Sequence, residues 1–281
     1  MTSAPRIAAI QDISGFGRCS MTVVLPVLSA MGGQCCPLPT AYLSAHTAFP
    51  ASQHATFLDM TGQMAGTMAH WAELGVTFDA IYSGFLGSEG QISLIEDFYS
   101  RFRGEHTLVL VDPVMGDHGK PYRTYTPDMC ARMGELAAQA DVITPNLTEA
   151  ALLLGEPYEA VPGDEAGLRG WLERLSLEGR RSVVLTGVSL APGQVGAGWF
   201  DRGAGRAGFT MTHQEPVHFP GTGDLFASVV LGSLLRGEAL SDAARLAAEF
   251  VQRCAAHTLS LGTPVLEGVQ FEPLLGELIG R

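Results

Sequence analysis

The chain has 281 residues, 46% of them hydrophobic, and a formal net charge of −12 at pH 7. That is enough apolar material for the core of one large α/β domain or two smaller ones. So acidic a balance excludes a nucleic-acid surface, which needs a basic stripe to neutralise phosphates. An anionic ligand must then be held locally, by backbone N–H groups, metal ions and a few cationic side chains. Cys19, Cys35, Cys36, Cys130 and Cys254 show no CxxC pairing, so neither a zinc knuckle nor a disulfide framework is expected. Met1 to Arg6 lacks a basic region followed by an apolar stretch, and no apolar run approaches the ~20 residues of a membrane helix. A soluble cytoplasmic protein without a membrane partner is the expectation. With no repeat, low-complexity tract or linker-like run, a single domain over 1–281 is favoured.

Taken in order, Arg6–Gln11 predicts a strand ending at Asp12-Ile13-Ser14-Gly15, followed by a helix from about Ser20 to Met31. Cys35-Cys36 falls in or beside a second strand. Thr77–Tyr82 predicts a strand that ends in Ser83-Gly84-Phe85-Leu86-Gly87, with a helix through Ile92–Phe102. The apolar strand Thr107–Val111 ends at Asp112-Pro113. Asp141–Thr144 ends at Pro145-Asn146 before a helix over Thr148–Leu154, and Ser182–Leu185 ends at Thr186-Gly187. Ala197–Phe200 and Phe209–Thr212 read as a hairpin. Helices over about Asp224–Leu235 and Ser241–Ser260 follow, with a short one near the end. Near-continuous apolar strands alternating with helices indicate a parallel sheet covered on both faces, and its ligand site lies at the strands' carboxyl ends.

Several formal motifs fail on context. Gly203-Ala204-Gly205-Arg206-Ala207-Gly208 matches GxGxxG, yet a strand rather than a helix follows it, so it reads as a turn. The Asn146-Leu147-Thr148 sequon has meaning only in a secreted chain. Gly116-Asp117-His118-Gly119-Lys120 lacks Walker A spacing although it holds the sole lysine. The eight histidines show no HExxH or other paired spacing, which gives a catalytic zinc site no support. No GxSxG-type hydrolase signature is present.

The strongest local signal is Pro220-Gly221-Thr222-Gly223-Asp224-Leu225-Phe226, which opens an apolar helix. Two glycines let the backbone aim several N–H groups one way, and a helix N-terminus favours an anion there. The same setting predicts that Asp224 is held ionised and is therefore a weak base. A loose phosphoryl-transfer transition state tolerates that, because positioning and charge neutralisation supply most of the rate. Simple helix capping by Thr222 or Asp224 explains the segment equally well. Asp112-Pro113-Val114-Met115-Gly116-Asp117 and Thr144-Pro145-Asn146-Leu147-Thr148-Glu149 follow two other strands. Adjacent parallel strands would bring Asp112, Asp117, Asn146 and Glu149 to one rim suited to Mg²⁺. Loop and capping chemistry accounts for each piece alone; three pieces at successive strand ends favour a site.

Together with Ser83-Gly84-Phe85-Leu86-Gly87-Ser88, these segments resemble, in order from Ile7 to about Leu235, the pyridoxal/pyridoxamine kinase family of the ribokinase-like superfamily. The resemblance implies an α/β fold: a central, mostly parallel sheet flanked by helices on both faces, with a small edge β-flap, commonly as a homodimer. It implies transfer of the ATP γ-phosphoryl group to the 5′-hydroxyl of a vitamin B6 vitamer (pyridoxal, pyridoxamine or pyridoxine), with Mg²⁺ and room for a monovalent cation such as K⁺. By motif, Asp224 resembles the catalytic base and Gly221, Thr222 and Gly223 the anion hole. Asp117, Glu149 and Thr144 resemble the metal's surroundings; Asp112, Asn146, Thr186 and Lys120 fall to the nucleotide. The Gly-containing loop of His118 and Lys120 either closes over ATP or is simply solvated. Asp12, Ser14, Thr47 and Phe85 fall to the substrate.

Two departures bear on the substrate. Asp12 stands where many members have Ser, and Asp12-Ile13-Ser14-Gly15 looks more like the start of hydroxymethylpyrimidine kinases, which usually carry Cys in the place of Asp224. Asp12 either binds the substrate's ring nitrogen or amine, a charge-assisted bond of about 1.5–3 kcal/mol, or caps the following helix. The rival functions are a hydroxymethylpyrimidine or sugar kinase of the same superfamily, and a non-catalytic B6-binding protein.

Overall fold

The computed structural model describes residues 3–122 and 125–280. In chain order the elements are β1 (Arg6–Ser14), α1 (Met21–Ala30), β2 (Gln34–Leu43), β3 (Phe57–Asp59), α2 (Thr61–Glu73), β4 (Ala80–Ser83) and α3 (Glu89–Phe102). There follow β5 (Leu108–Val111), β6 (Gly116–Asp117), β7 (Lys120–Pro121), α4 (Pro127–Ala138), β8 (Val142–Ile143), α5 (Leu147–Leu154) and α6 (Glu165–Leu175). The chain ends with β9 (Ser182–Val188), β10 (Gln194–Asp201), β11 (Arg206–His213), α7 (Thr222–Leu235) and α8 (Leu240–Leu261).

Nine strands form one sheet in the order β11-β10-β9-β8-β5-β4-β1-β2-β3. The six from β9 to β2 run parallel. Antiparallel strands close both edges, β10 and β11 on one side and β3 on the other. Period-two alternation is visible in the core. Ile7 and Ala9 of β1 join Tyr82 of β4 in a cluster with α1, α7 and α8. Ala8 and Ile10 face the opposite way, into a cluster with Ile81 and helices α2 to α6. Both faces are therefore dry, as the apolar strands required. The sheet's order reverses between β1 and β4, so a crevice opens at their carboxyl ends. Among the described residues no helix is long and apolar enough to cross a membrane.

The structure extends and corrects the expected elements. β1 does not stop at Gln11; it continues through Asp12 to Ser14 because β2 carries an extra residue, Gln11 facing Pro39 while Ile13 faces Tyr42. Asp12 is thus a strand residue. The glycine-rich 203–208 segment is the turn and start of the β10–β11 hairpin, with Gly205 at φ +60. Helices α2, α4 and α6 carry no expectation from the sequence, and β2 is a ten-residue strand despite Pro37 and Pro39.

One satellite of the core is aromatic. Phe98 on α3 is fully buried against Phe102 (4.5 Å between centroids), Phe78 (5.6 Å) and Trp71 (6.3 Å). Replacing it with alanine removes a large apolar surface and leaves a cavity that the rigid sheet cannot close. Phe98→Ala is expected to cost about 3–5 kcal/mol, read as a lower urea midpoint at unchanged slope.

Candidate active site

The carboxyl ends of the strands open into a cavity of about 1010 Å³. Of the candidate site residues, every one except Lys120 lines it. Lys120 is exposed on β7. The His118-Gly119 turn, with φ +49 and +75, reverses the chain tightly and returns it to solvent before the lysine. The sole lysine therefore lies off the cavity wall, while His118 remains on it.

Gly221 shapes one end of the cavity. It occupies the N-cap of α7 with φ +77, and a Cβ there would run into the Arg18 carbonyl. Glycine is required twice over, for its conformation and for the close approach. The Thr222 hydroxyl donates to the Phe219 carbonyl at 3.0 Å, so the turn is held from within rather than by a side-chain cap. The first-turn N–H groups, which have no intrahelical acceptor, are left to face a ligand.

Asp224 Oδ2 accepts a 2.8 Å hydrogen bond from the Ser20 amide. Burial nevertheless pushes its carboxyl up to about 7, with repulsion from Asp12 adding to the rise and the Ser20 N–H opposing it. The sequence-based expectation of a firmly ionised, weakly basic Asp224 is therefore corrected. Desolvation outweighs the helix terminus. The same cause acts on its neighbours. Asp112, at the end of β5, is raised to about 8 by burial and by Asp224, against the nearby Thr144 hydroxyl. Glu149 is raised by burial and then by Asp112. Asp224 is thus repelled by Asp12 and in turn repels Asp112.

Glu149 caps a helix and still borders the cavity. It forms a capping box with Asn146 at the start of α5, accepting from the Asn146 amide at 2.9 Å, and its other oxygen accepts from the Met115 amide at 3.1 Å. It is only 3% exposed, yet it still lines the cavity. Asn146 is occupied on both sides of its amide. Oδ1 accepts from Glu149 N at 3.0 Å, and Nδ2 donates to the Gly116 carbonyl at 2.9 Å. The Gly119 amide adds a 2.9 Å bond to Thr148 Oγ1, so the β6–β7 hairpin hangs from the N-terminus of α5. Thr186 bridges to Asn146 through the backbone.

Asp117 faces two histidines. Burial works against its charge, but a hydrogen bond from His218, the His118 N–H and both imidazoles hold its carboxyl below the usual range. Its Oδ2 lies 3.4 Å from His218 Nε2 and 3.6 Å from His118 Nε2. An oxygen-rich set remains for a hard cation: Asp112, Glu149 and the Thr144 hydroxyl, which is buried without a hydrogen-bond partner. Two buried carboxyls, each raised chiefly by desolvation, and a buried hydroxyl fit Mg²⁺, which takes oxygen ligands and keeps several waters.

At the other end of the cavity, Asp12 is 4% exposed and accepts from Ser14 Oγ at 3.0 Å. Burial raises its carboxyl against the hydroxyls of Ser20 and Ser14. It does not cap α1, whose N-cap is Ser20 with no side-chain bond. Phe85 and Thr47 complete this end. The signal missed in the sequence is His46. Its Nε2–H donates to the Leu266 carbonyl at 2.7 Å, leaving Nδ1 to accept from the Ala48 amide at 3.3 Å. These two bonds fix its tautomer and pin the loop that presents Thr47.

Comparison with known proteins agrees with this geometry. Residues 23–267 match the phosphomethylpyrimidine kinase family. The chain is 31% identical over 265 residues to the pyridoxine/pyridoxal/pyridoxamine kinase of Bordetella avium, spanning 90% of this chain and 85% of that protein. It is 28% identical over 265 residues to the pyridoxal kinase of Deinococcus radiodurans, spanning 92% and 88%. The solved pyridoxal kinase of Lactobacillus plantarum superposes with a TM-score of 0.88 at 32% identity, over 98% of this chain and 96% of that one. A Bacteroides thetaiotaomicron protein described as a phosphomethylpyrimidine kinase and crystallised with pyridoxal reaches 0.92 at 42% identity, over 98% and 96%. With a single family spanning most of its length and an acidic crevice at the switch point of its sheet, the chain belongs to the phosphomethylpyrimidine kinase family and is a kinase of ribokinase-like fold.

Proposed function

We propose that this protein transfers the γ-phosphoryl group of ATP to the 5′-hydroxyl of a vitamin B6 vitamer. The observation that carries the reading is the position of Asp224. It lies beside the Gly221–Gly223 amides, is repelled by the substrate-side Asp12 and in turn repels the nucleotide-side Asp112. The named activities of the relatives and the pyridoxal in the Bacteroides crystal support the choice of substrate. A hydroxymethylpyrimidine acceptor is the second reading, favoured by the family's description and the Asp12-Ile13-Ser14-Gly15 segment. Asp224 itself weighs against it, since that sister family usually carries Cys there.

In this reading the vitamer's hydroxyl approaches Asp224, whose carboxyl, raised to about 7, is matched to accepting a proton near neutral pH. The first-turn amides of α7 hold the transferring group. Asp112, Glu149 and Thr144 would hold Mg²⁺, which supplies charge neutralisation along the phosphates. Thr186 and the Asn146 backbone border the nucleotide, and Phe85, Thr47, Ser14 and Asp12 border the vitamer ring. A homodimer belongs to the same reading, supported by the exposed apolar Tyr42, Phe57 and Leu58 on the β2–β3 edge. A cytoplasmic location and the monovalent cation are proposed on the resemblance alone.

Three outcomes test the assignment. Asp224→Asn is expected to keep nucleotide binding and to lower kcat by about 10²–10⁴-fold, measured as ADP release with each vitamer and a hydroxymethylpyrimidine control. Wild-type turnover would remove Asp224 from the chemistry, and turnover confined to the pyrimidine would select the second reading.

The same variant reports on burial. The folded chain keeps the Asp224 proton up to about pH 7, whereas the unfolded chain loses it near the ordinary carboxyl value of 3.8. Folding therefore takes up a proton between those values, and this residue's contribution to stability declines as pH rises through the window. Asp224→Asn should gain stability relative to wild type from pH 5 to pH 8, read from urea midpoints; a constant difference would contradict the raised carboxyl.

Asp12→Ser should lower the ratio of kcat/KM for pyridoxamine over pyridoxal by about 10-fold or more, the loss of one charge-assisted bond. An unchanged ratio ends the role of Asp12 in choosing the vitamer.

A further inference from the structure

The histidines show no metal-binding spacing along the chain, yet two of them meet in space. His118 stands in the two-residue turn of the β6–β7 hairpin with φ +49, and His218 stands in the segment that leads from β11 to Gly221. Both Nε2 atoms approach the same oxygen, Asp117 Oδ2, at 3.6 and 3.4 Å. The three ligand atoms all lie within 4.8 Å of one another. In a tetrahedral zinc site, bonds of about 2.0–2.2 Å place neighbouring ligand atoms about 3.3–3.6 Å apart. The two separations match edges of such a tetrahedron, and the third lies within 4.8 Å.

We propose that Asp117, His118 and His218 form a second metal site, separate from the oxygen-lined magnesium position, that takes a borderline divalent cation such as Zn²⁺. Two imidazoles and one carboxylate are the donor set of zinc, cobalt and nickel sites, whereas Mg²⁺ selects oxygen donors. A simple ion pair would need only one imidazole on the carboxylate; here a second, from a segment a hundred residues away, aims at the same atom. A bound ion ties the hairpin that follows Asp112 to the segment that delivers Gly221 and Asp224. The fourth position is left to water or to an oxygen of a ligand in the cavity that all three residues line. The ion acts as a clamp across the cavity's mouth. The site's existence does not depend on the vitamer reading; its effect on a nucleotide does.

The test uses the full chain, stripped of metal and free of nucleotide and vitamer. Zn²⁺ and Mg²⁺ are titrated by calorimetry, and Co²⁺ by visible absorption. The expected result is one Zn²⁺ per chain, bound at least about 100-fold more tightly than Mg²⁺, with the intense Co²⁺ spectrum of a tetrahedral site and a metal-dependent rise in Tm. His218→Gln and His118→Asn should each weaken Zn²⁺ binding by about tenfold or more and remove the rise in Tm. Asparagine suits the positive φ at 118, and circular dichroism of the metal-free variants verifies their fold. Equal affinity for Zn²⁺ and Mg²⁺, an octahedral Co²⁺ spectrum, or undiminished Zn²⁺ binding in the two variants would overturn the site. ADP release with Mg²⁺ alone is read separately, so failure of the metal site and failure of the kinase assignment remain distinct.

Discussion

A single 2.8 Å hydrogen bond, from the Ser20 amide to Asp224 Oδ2, joins two parts of the chain that lie 204 residues apart. It forms only because Gly221 brings the start of α7 against the Arg18 carbonyl, a separation that a β-carbon would not permit. This contact puts the first strand's acidic end and the last strand-helix junction in one cavity. The sheet supplies the frame: β1 lies at the point where the strand order reverses, so the loop leaving it is the natural wall of the crevice.

The second constraint is electrostatic. Asp12, Asp224, Asp112 and Glu149 share one cavity, and each is raised by desolvation. Packing acids this closely costs stability in the free protein. On the proposed reading the cost has a use, because a divalent ion and a phosphate tail would replace the missing solvation. A protein of net charge −12 would then bind a polyanion without a basic surface, its backbone amides receiving the phosphates and its buried carboxylates the metal.

Much of this was legible in the sequence because the central strands are short, apolar and followed by polar turns. Val109, Val111 and Ile143 all vanish into the core, while Asp112 and Thr144 emerge beside them at the cavity. The parts that were not legible have identifiable causes. Pro37 and Pro39 argue against a strand, yet β2 pairs with β1 along its length and with β3 only at Ala41–Leu43, so the missing N–H groups fall where no neighbour needs them. Helices α2 and α6 each contain two glycines, and α2 buries only Met64 and Met68, which blurs its period. The charge state of Asp224 was misjudged because burial is a property of the whole fold, whereas helix polarity is local. The convergence of His118 and His218 left no trace in spacing at all.

The attachment of the β6–β7 hairpin to α5 has a mechanical consequence. Gly116, Met115 and Gly119 are all bonded to the first turn of that helix, through Asn146, Glu149 and Thr148. The hairpin is therefore not a free flap. Opening this side of the crevice means either rupturing three hydrogen bonds together or tilting α5 along with it. The cheaper hinge lies on the opposite bank, in the stretch from Gln214 to Pro220, which belongs to no strand or helix.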